Sequence, residues 1–178
     1  MLKSIFKNPV ALFFFKAIGL YIIWYLLYDL WIHPAGKLDL LVIDNLIYVS
    51  SGILKLLGYQ LIDYPYSAAI RSMGIDGAHG LWVGDACNGL TLFALFTGFI
   101  IAFPGPIKSK LWFIPLGLVS IHFINILRIV GLAVTQLYFP DSLDFNHTYT
   151  FTFLVYGWVF LLWVGWVRLA GKVQGISV

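Results

Sequence analysis

Four apolar segments dominate this sequence and determine the solvent in which it folds. They cover residues 10–32, 87–104, 111–138 and 149–169, and each reaches the length of about 17 residues that a helix needs to cross a bilayer. Hydrophobic side chains make up 61% of the chain and charged ones 11%, against about 45–50% and about 25% in soluble domains. The sequence therefore predicts an all-α integral membrane protein, a single domain over residues 1–178 with about four transmembrane helices.

The first segment follows Lys3 and Lys7 in the manner of a signal peptide. It is longer than the apolar core of about 7–15 residues found in such peptides, and it lacks a clear cleavage site. We therefore expect it to remain as an uncleaved membrane anchor.

Residues 38–62 form a different kind of segment, in which apolar residues recur at helical spacing. Ser51 and Lys55 follow Asp44 by seven and eleven positions, so that all three fall on one face of a helix. This pattern is typical of an amphipathic helix that lies along a membrane surface. A fifth spanning helix is the alternative, and the distribution of charge decides between them.

Charge favours four spans. The ends and the short loop assigned to the inside then contain only basic charges, namely Lys3, Lys7, Lys16, Lys108, Lys110, Arg168 and Lys172. The outside contains Lys37, Lys55 and Arg71 against Asp39, Asp44, Asp63, Asp76, Asp85, Asp141 and Asp144. Cytoplasmic loops are enriched in Lys and Arg, and a fifth span would move Lys108 and Lys110 to the outside. We therefore predict that both termini lie inside and that residues 38–62 form an amphipathic interfacial helix outside.

A glycine-rich stretch precedes the second apolar segment. Within it, Asp76-Gly77 suits a turn between two short extended runs, residues 69–74 and 80–84. This pattern predicts a small β-hairpin on the outer face, just before the only cysteine of the chain.

That cysteine, Cys87, is predicted to begin the second spanning helix. The unpaired N–H groups and the dipole of a helix N-terminus favour an anion such as a thiolate. The N–H groups of Cys87, Asn88 and Gly89 are therefore candidates to hold an oxyanion. The alternative is a small buried cysteine that only packs.

Arg128 interrupts the third apolar segment. An arginine deep in a bilayer costs at least about 2.5–3.5 kcal/mol on insertion scales, so its presence requires a role. Asn125 and His122 precede it by three and six positions and continue a polar stripe, which predicts hydrogen bonds between helices. An ion pair between Arg128 and Asp29 is the structural alternative.

His147 stands at the entrance of the fourth segment. Cysteine catalysis needs a base for the thiol proton and a donor for the developing oxyanion, and His147 and Arg128 have these chemistries. A polar residue at the membrane interface is the alternative for His147. No spacing of His, Cys and Asp predicts a metal site, and the net charge of +3 without a basic cluster does not indicate nucleic acid.

These residues resemble the pattern of the exosortase/archaeosortase family. The chain has "ACNGL" at the head of one span, "NILRIVGL" in the next and a histidine at the head of the last. The resemblance covers roughly residues 65–170 and is closest to the short single-domain members, such as the XrtF type. Asn88 departs from the pattern, since the family usually has a serine there.

The resemblance implies a membrane-embedded cysteine peptidase or transpeptidase with Cys87, Arg128 and His147 as catalytic residues, supported by Asn88, Gly89 and Asn125. Its partner would be a membrane-tethered protein whose C-terminal sorting signal is cleaved at the outer face of the cytoplasmic (inner) membrane, without a cofactor. A non-catalytic membrane assembly or scaffold subunit is the alternative function. A transporter fits less well, because no internal repeat is visible.

Overall fold

The computed structural model of the protein describes residues 8–62 and 71–173. The predictions for Lys3, Lys7 and Asp63, and for the first two residues of the hairpin run 69–74, lie outside the described residues. The described chain forms α1 (Pro9–Ala35), α2 (Lys37–Leu56), β1 (Ser72–Met73), β2 (Leu81–Trp82), α3 (Leu90–Ala102), α4 (Ile107–Tyr138) and α5 (Phe151–Val173). Short helical turns over Pro140–Ser142, Leu143–Phe145 and Asn146–Thr150 lead into α5.

The described part of the chain is helical apart from the short strand pair and one isolated β-bridge, and it belongs to a membrane protein. Three helices are long and apolar enough to cross a bilayer, namely Pro9–Ala35, Ile107–Tyr138 and Pro140–Lys172. The helix α3 is shorter, with 13 residues, or about 20 Å at 1.5 Å per residue, against a hydrocarbon thickness of about 30 Å. The fourth span therefore stays a prediction, because α3 needs the segments on both sides of it to complete a crossing.

The helix α1 begins with a cap and changes its winding near its end. The Asn8 side chain accepts hydrogen bonds from the backbone N–H groups of Val10 and Ala11, at 3.0 and 3.5 Å. Residues Tyr25–Ile32 are wound as a π-helix, a variant that is frequent at functional sites. The aromatic ring of Tyr28, within this stretch, is buried, whereas most of α1 exposes apolar side chains.

The helix α2 ends at Leu56 rather than at the predicted residue 62. Gly58, at φ +90°, adopts a left-handed conformation just after the helix, which glycine tolerates without a steric penalty. Along α2, Asp44 and Lys55 are exposed and Ser51 is half-buried. The opposite face packs against α4. Its position at the membrane interface stays a prediction.

The two short strands pair antiparallel, with Ser72 opposite Trp82 and Met73 opposite Leu81. Gly77, at φ +86°, lies in the connecting turn. A further antiparallel bridge joins Leu61 to Ile75, so the hairpin is attached to the chain that leaves α2.

Two apolar clusters divide the described residues. The first, here called the bundle core, joins α3, α4 and α5 through Leu92, Phe96, Ile100, Ile121, Val155, Val159, Trp166 and Ala170. The second, here called the cap core, joins α2, the hairpin and the second half of α4 through Ile43, Ile47, Leu54, Met73, Ile75, Val83, Cys87, Ile129, Val130 and Ala133. Cys87 thus belongs to the cap core, immediately before the helix α3 of the bundle core.

Candidate active site

Cys87 lies in a short 3₁₀ turn, Asp85–Cys87, and its side chain is only 7% exposed. The prediction that α3 begins at Cys87 is wrong by three residues, because the helix begins at Leu90. The Cys87 N–H donates to the carbonyl oxygen of Gly84 at 2.8 Å, and the Asn88 N–H donates to that of Asp85 at 3.2 Å. Two of the three N–H groups proposed for an oxyanion are therefore already bonded within the turn.

Asn88 explains where the helix begins. Its side-chain Oδ1 accepts the Leu90 N–H at 2.8 Å, and thereby satisfies one of the donors that a helix start leaves open. Its Nδ2 donates to Oδ1 of Asp39 at 2.6 Å. A buried Asn88 thus uses both ends of its amide, one for α3 and one for α2.

Asn125 supports the cysteine loop from α4. Its Nδ2 donates to the carbonyl oxygen of Cys87 at 2.7 Å, and the side chain is 1% exposed. Gly89, between the loop and α3, has φ +80°. A Cβ at Gly89 would stand 3.2 Å from Asn125 Nδ2, so both the backbone conformation and the close approach favour glycine there.

His147 approaches the thiol from the last helix. Its Nε2 lies 3.8 Å from Sγ of Cys87. The residue is part of the π-helical turn Asn146–Thr150, and its carbonyl oxygen accepts the hydroxyl of Thr152 at 3.0 Å. Distances between a nucleophile and its base are often longer before substrate binds than in the reacting complex, so 3.8 Å suits a thiol and imidazole pair at rest.

Arg128 is 9% exposed, and its Nε has no hydrogen-bond partner among the described residues. It lines a cavity of about 340 Å³ together with Asn88, Gly89 and residues of α5, whereas Cys87 and His147 are not among the residues that line this cavity. Arg128 interacts electrostatically with His147. The alternative ion pair with Asp29 does not form, because the ion pairs found in the described part of the chain are His33–Asp39 and Arg71–Asp44.

Within the polar stripe of α4, His122 makes the predicted contact with another helix, whereas Asn125 bonds to the cysteine loop. His122 Nε2 lies 2.8 Å from Oδ1 of Asn45 on α2, and the Ser50 hydroxyl reaches the carbonyl oxygen of Ile126 at 3.5 Å. Over residues 8–62 and 71–173, no group of three or more His, Cys, Asp or Glu side chains is arranged to hold a metal ion.

A comparison with protein families gives a match over residues 5–169 to the family described as transmembrane exosortase. The chain belongs to the transmembrane exosortase family. The match extends to the first helix, which the sequence resemblance over residues 65–170 did not include. No curated protein and no solved structure matches the chain.

The sequence interpretation missed one group of residues beside the cysteine loop. Asp39 of α2 is 1% exposed, and it accepts hydrogen bonds from Asn88 and from the hydroxyl of Tyr28. His33 Nδ1 lies 3.2 Å from the second carboxylate oxygen. The charge pattern of the sequence assigns Asp39 to the outside as one of seven aspartates and gives it no further role.

Proposed function

We propose that the chain is a cysteine peptidase or transpeptidase that cleaves C-terminal sorting signals of membrane-tethered partner proteins. The observation that supports this most directly is the 3.8 Å separation of Cys87 Sγ and His147 Nε2, since these groups come from segments 60 residues apart. Membership of the transmembrane exosortase family supports the same reaction class.

In the proposed reaction, Nε2 of His147 accepts the proton of the Cys87 thiol. The thiolate attacks the carbonyl carbon of the scissile peptide and forms a tetrahedral intermediate. Collapse of the intermediate breaks the C–N bond, and the imidazolium returns its proton to the departing amine. The remaining thioester on Cys87 is resolved by water or by an amine acceptor, so that one difficult step becomes two easier ones.

Arg128 is proposed to stabilise the oxyanion of the intermediate. Its guanidinium lines the cavity beside Asn88 and Gly89, and its Nε has no partner within the described residues. Hydrogen-bond donors that are fixed before the reaction stabilise developing charge most effectively in sites that exclude water. The N–H of Gly89, which makes no hydrogen bond within the described residues, is proposed as a second donor.

The decisive experiment compares Cys87→Ala, His147→Ala and the double variant, with processing of a tailed partner protein as the assay. Residues that act as one catalytic unit are strongly non-additive, so all three variants should be equally inactive while remaining folded. His79→Ala is the matched control, because His79 is exposed in the hairpin turn region. Continued processing by Cys87→Ala would favour the scaffold function instead.

We further propose that the site faces the outer side of the cytoplasmic (inner) membrane and that both termini are cytoplasmic. Apart from Tyr138 at the helix end, the exposed large apolar side chains of α4 extend from Ile107 to Leu127. From Ile107 to Leu127 there are 20 steps of 1.5 Å, or about 30 Å along a helix, which is the thickness of the hydrocarbon layer. Lys108 and Lys110 lie in the first turn, where long side chains can reach the inner interface. Arg128 follows Leu127 directly, which supports a position for its guanidinium at the membrane boundary.

Reporter fusions test this orientation. A fusion after Pro106 should report the inside, where Lys108 and Lys110 lie, and a fusion after Ser142 should report the outside, since basic loops are retained in the cytoplasm. An outside signal after Pro106, or an inside signal after Ser142, contradicts the orientation and the four-span arrangement.

A further inference from the structure

A buried carboxylate lies behind the cysteine loop, on a helix that contains none of the proposed catalytic residues. Asp39 is in the first turn of α2, and its side chain is almost completely removed from solvent. Burying a charged group is costly unless it is paired and hydrogen-bonded. The groups that surround Asp39 therefore indicate what the residue does.

Those groups come from α1 on one side and from the cysteine loop on the other. The Tyr28 hydroxyl and the Asn88 amide both donate to Oδ1 of Asp39, and His33 contacts Oδ2. Tyr28 belongs to the π-helical stretch of α1, and His33 follows that stretch directly. Tyr28 of α1 thus bonds to the same carboxylate oxygen, Oδ1, that accepts the Asn88 amide.

Asn88 transmits this constraint to the thiol. It is bonded to Asp39 through Nδ2 and to the first N–H of α3 through Oδ1, so its amide cannot rotate without breaking a hydrogen bond. Cys87 is the preceding residue, and its own carbonyl is fixed by Asn125 from the other side. Hydrogen bonds therefore fix the loop both at the Cys87 carbonyl and at the Asn88 side chain.

We propose that Asp39 is a positioning residue of the active site, which acts through Asn88 to keep the Cys87 thiol within reach of His147. This inference rests on the proposed function and deepens it. Asp39 does not line the cavity that contains Arg128 and acts on the position of the thiol, so we expect its removal to lower kcat. The helix α2, which contains none of the proposed catalytic residues, thereby helps to set the position of the Cys87 thiol.

The sharpest test exchanges the two residues, so that aspartate stands at position 88 and asparagine at position 39. Asn88→Asp keeps an acceptor for the Leu90 N–H but replaces the amide that donates to Asp39 by a second carboxyl group. Two carboxyl groups in contact either repel each other or share a proton, and the amide–carboxylate hydrogen bond is lost in both cases. We expect kcat to fall about 10²-fold, the loss typical of a displacement of about 1 Å. Adding Asp39→Asn restores an amide–carboxylate hydrogen bond with reversed direction, and the double variant should regain most of the lost kcat. Asp39→Ala should resemble Asn88→Asp.

The matched control is Asp44→Ala, which removes an exposed carboxylate from the same helix and should leave kcat at the parental value. Asp44 pairs with Arg71 at 2.6 Å, on the face away from the buried side of α2. All variants are assayed as full-length protein in lipid vesicles with a tailed partner as substrate.

The second measurement does not depend on peptide processing. Because Cys87 is the only cysteine, the rate of its alkylation by iodoacetamide reports directly on this thiol. His147→Ala should slow alkylation in the parental protein, and it should have little further effect in the Asp39→Ala background, where the pair is already separated. A thiol that responds to His147→Ala equally in both backgrounds contradicts the inference.

The outcomes separate the two proposals. Processing by Cys87→Ala removes the proposed function, while the alkylation rates still decide the role of Asp39. An inactive Cys87→Ala together with a fully active Asp39→Ala overturns the inference and leaves the function standing. If Asp39→Ala does not fold, the double variant Asp39→Asn with Asn88→Asp provides the test. The inference is overturned if this double variant is folded but has a kcat as low as that of Asn88→Asp alone.

Discussion

Replacing Gly89 by alanine tests whether the cysteine loop depends on one backbone conformation and one close contact. Gly89 has φ +80°, and a residue with a Cβ pays about 1–2 kcal/mol in that region. The added Cβ would also stand 3.2 Å from Asn125 Nδ2, so this side chain must shift and weaken its hydrogen bond to the Cys87 carbonyl, which is worth about 0.5–1.5 kcal/mol. The expected loss of unfolding free energy is therefore about 2–3 kcal/mol.

For a chain of this length, about 2–3 kcal/mol lowers Tm by on the order of 4–12 °C. Near-UV circular dichroism measures this Tm, because it follows the packing of the aromatic side chains and does not use the Cys87 thiol. Gly98→Ala on α3 is the matched control, since nothing lies within 4 Å of its added Cβ, and alanine is favoured over glycine in a helix. We also expect slower processing by Gly89→Ala alone. Equal melting temperatures and processing rates in the two variants would refute the reasoning.

Two further predictions concern the cavity and the bundle core. Arg128→Lys keeps the charge but loses the planar set of donors, so processing should fall by about 10²-fold or more in a folded protein; parental activity would remove Arg128 from the mechanism. Gly117→Ala would bring a Cβ to 2.1 Å from the Phe96 ring, and we expect a loss of about 1–3 kcal/mol from overpacking, measured as a lower Tm. Phe96→Leu should recover part of that loss, and an unchanged Tm in Gly117→Ala would contradict the close packing of α3 on α4.

The sequence was most informative where a single physical requirement governs a residue. Long apolar runs predicted the membrane helices α1, α4 and α5, because lipid admits only segments whose backbone groups are satisfied internally. The cost of a charge in the bilayer identified Arg128. The order of Cys87, Arg128 and His147 indicated the family, which the match over residues 5–169 confirms.

The exact residue at which a helix begins depends on side-chain and backbone interactions that composition does not reveal. The residues from Leu90 to Ala102 are mostly apolar. Whether the helix begins at Cys87 or Leu90 is nevertheless decided by the side chain of Asn88 and the backbone angle of Gly89. The partner of Asn88, in turn, lies 49 residues earlier in the chain. Such a contact exists only after α2 has packed against α4 and the cysteine loop, so no local pattern could predict it.

The pattern of α2 nevertheless contained a signal for this contact. Its buried residues are Asp39, Ile43, Leu46, Ile47, Ser50 and Leu54, which at 3.6 residues per turn fall within an arc of about 100°. Asp44 and Lys55 of the opposite face are exposed and Ser51 is half-buried, whereas Asp39 and Ser50 are the polar residues of the buried face. A carboxylate within an otherwise apolar stripe must be buried with the stripe, and burial then requires donors from another element. Because α2 contacts the loop of Cys87, Asp39 on the apolar face of α2 is the residue that this pattern assigns to the site.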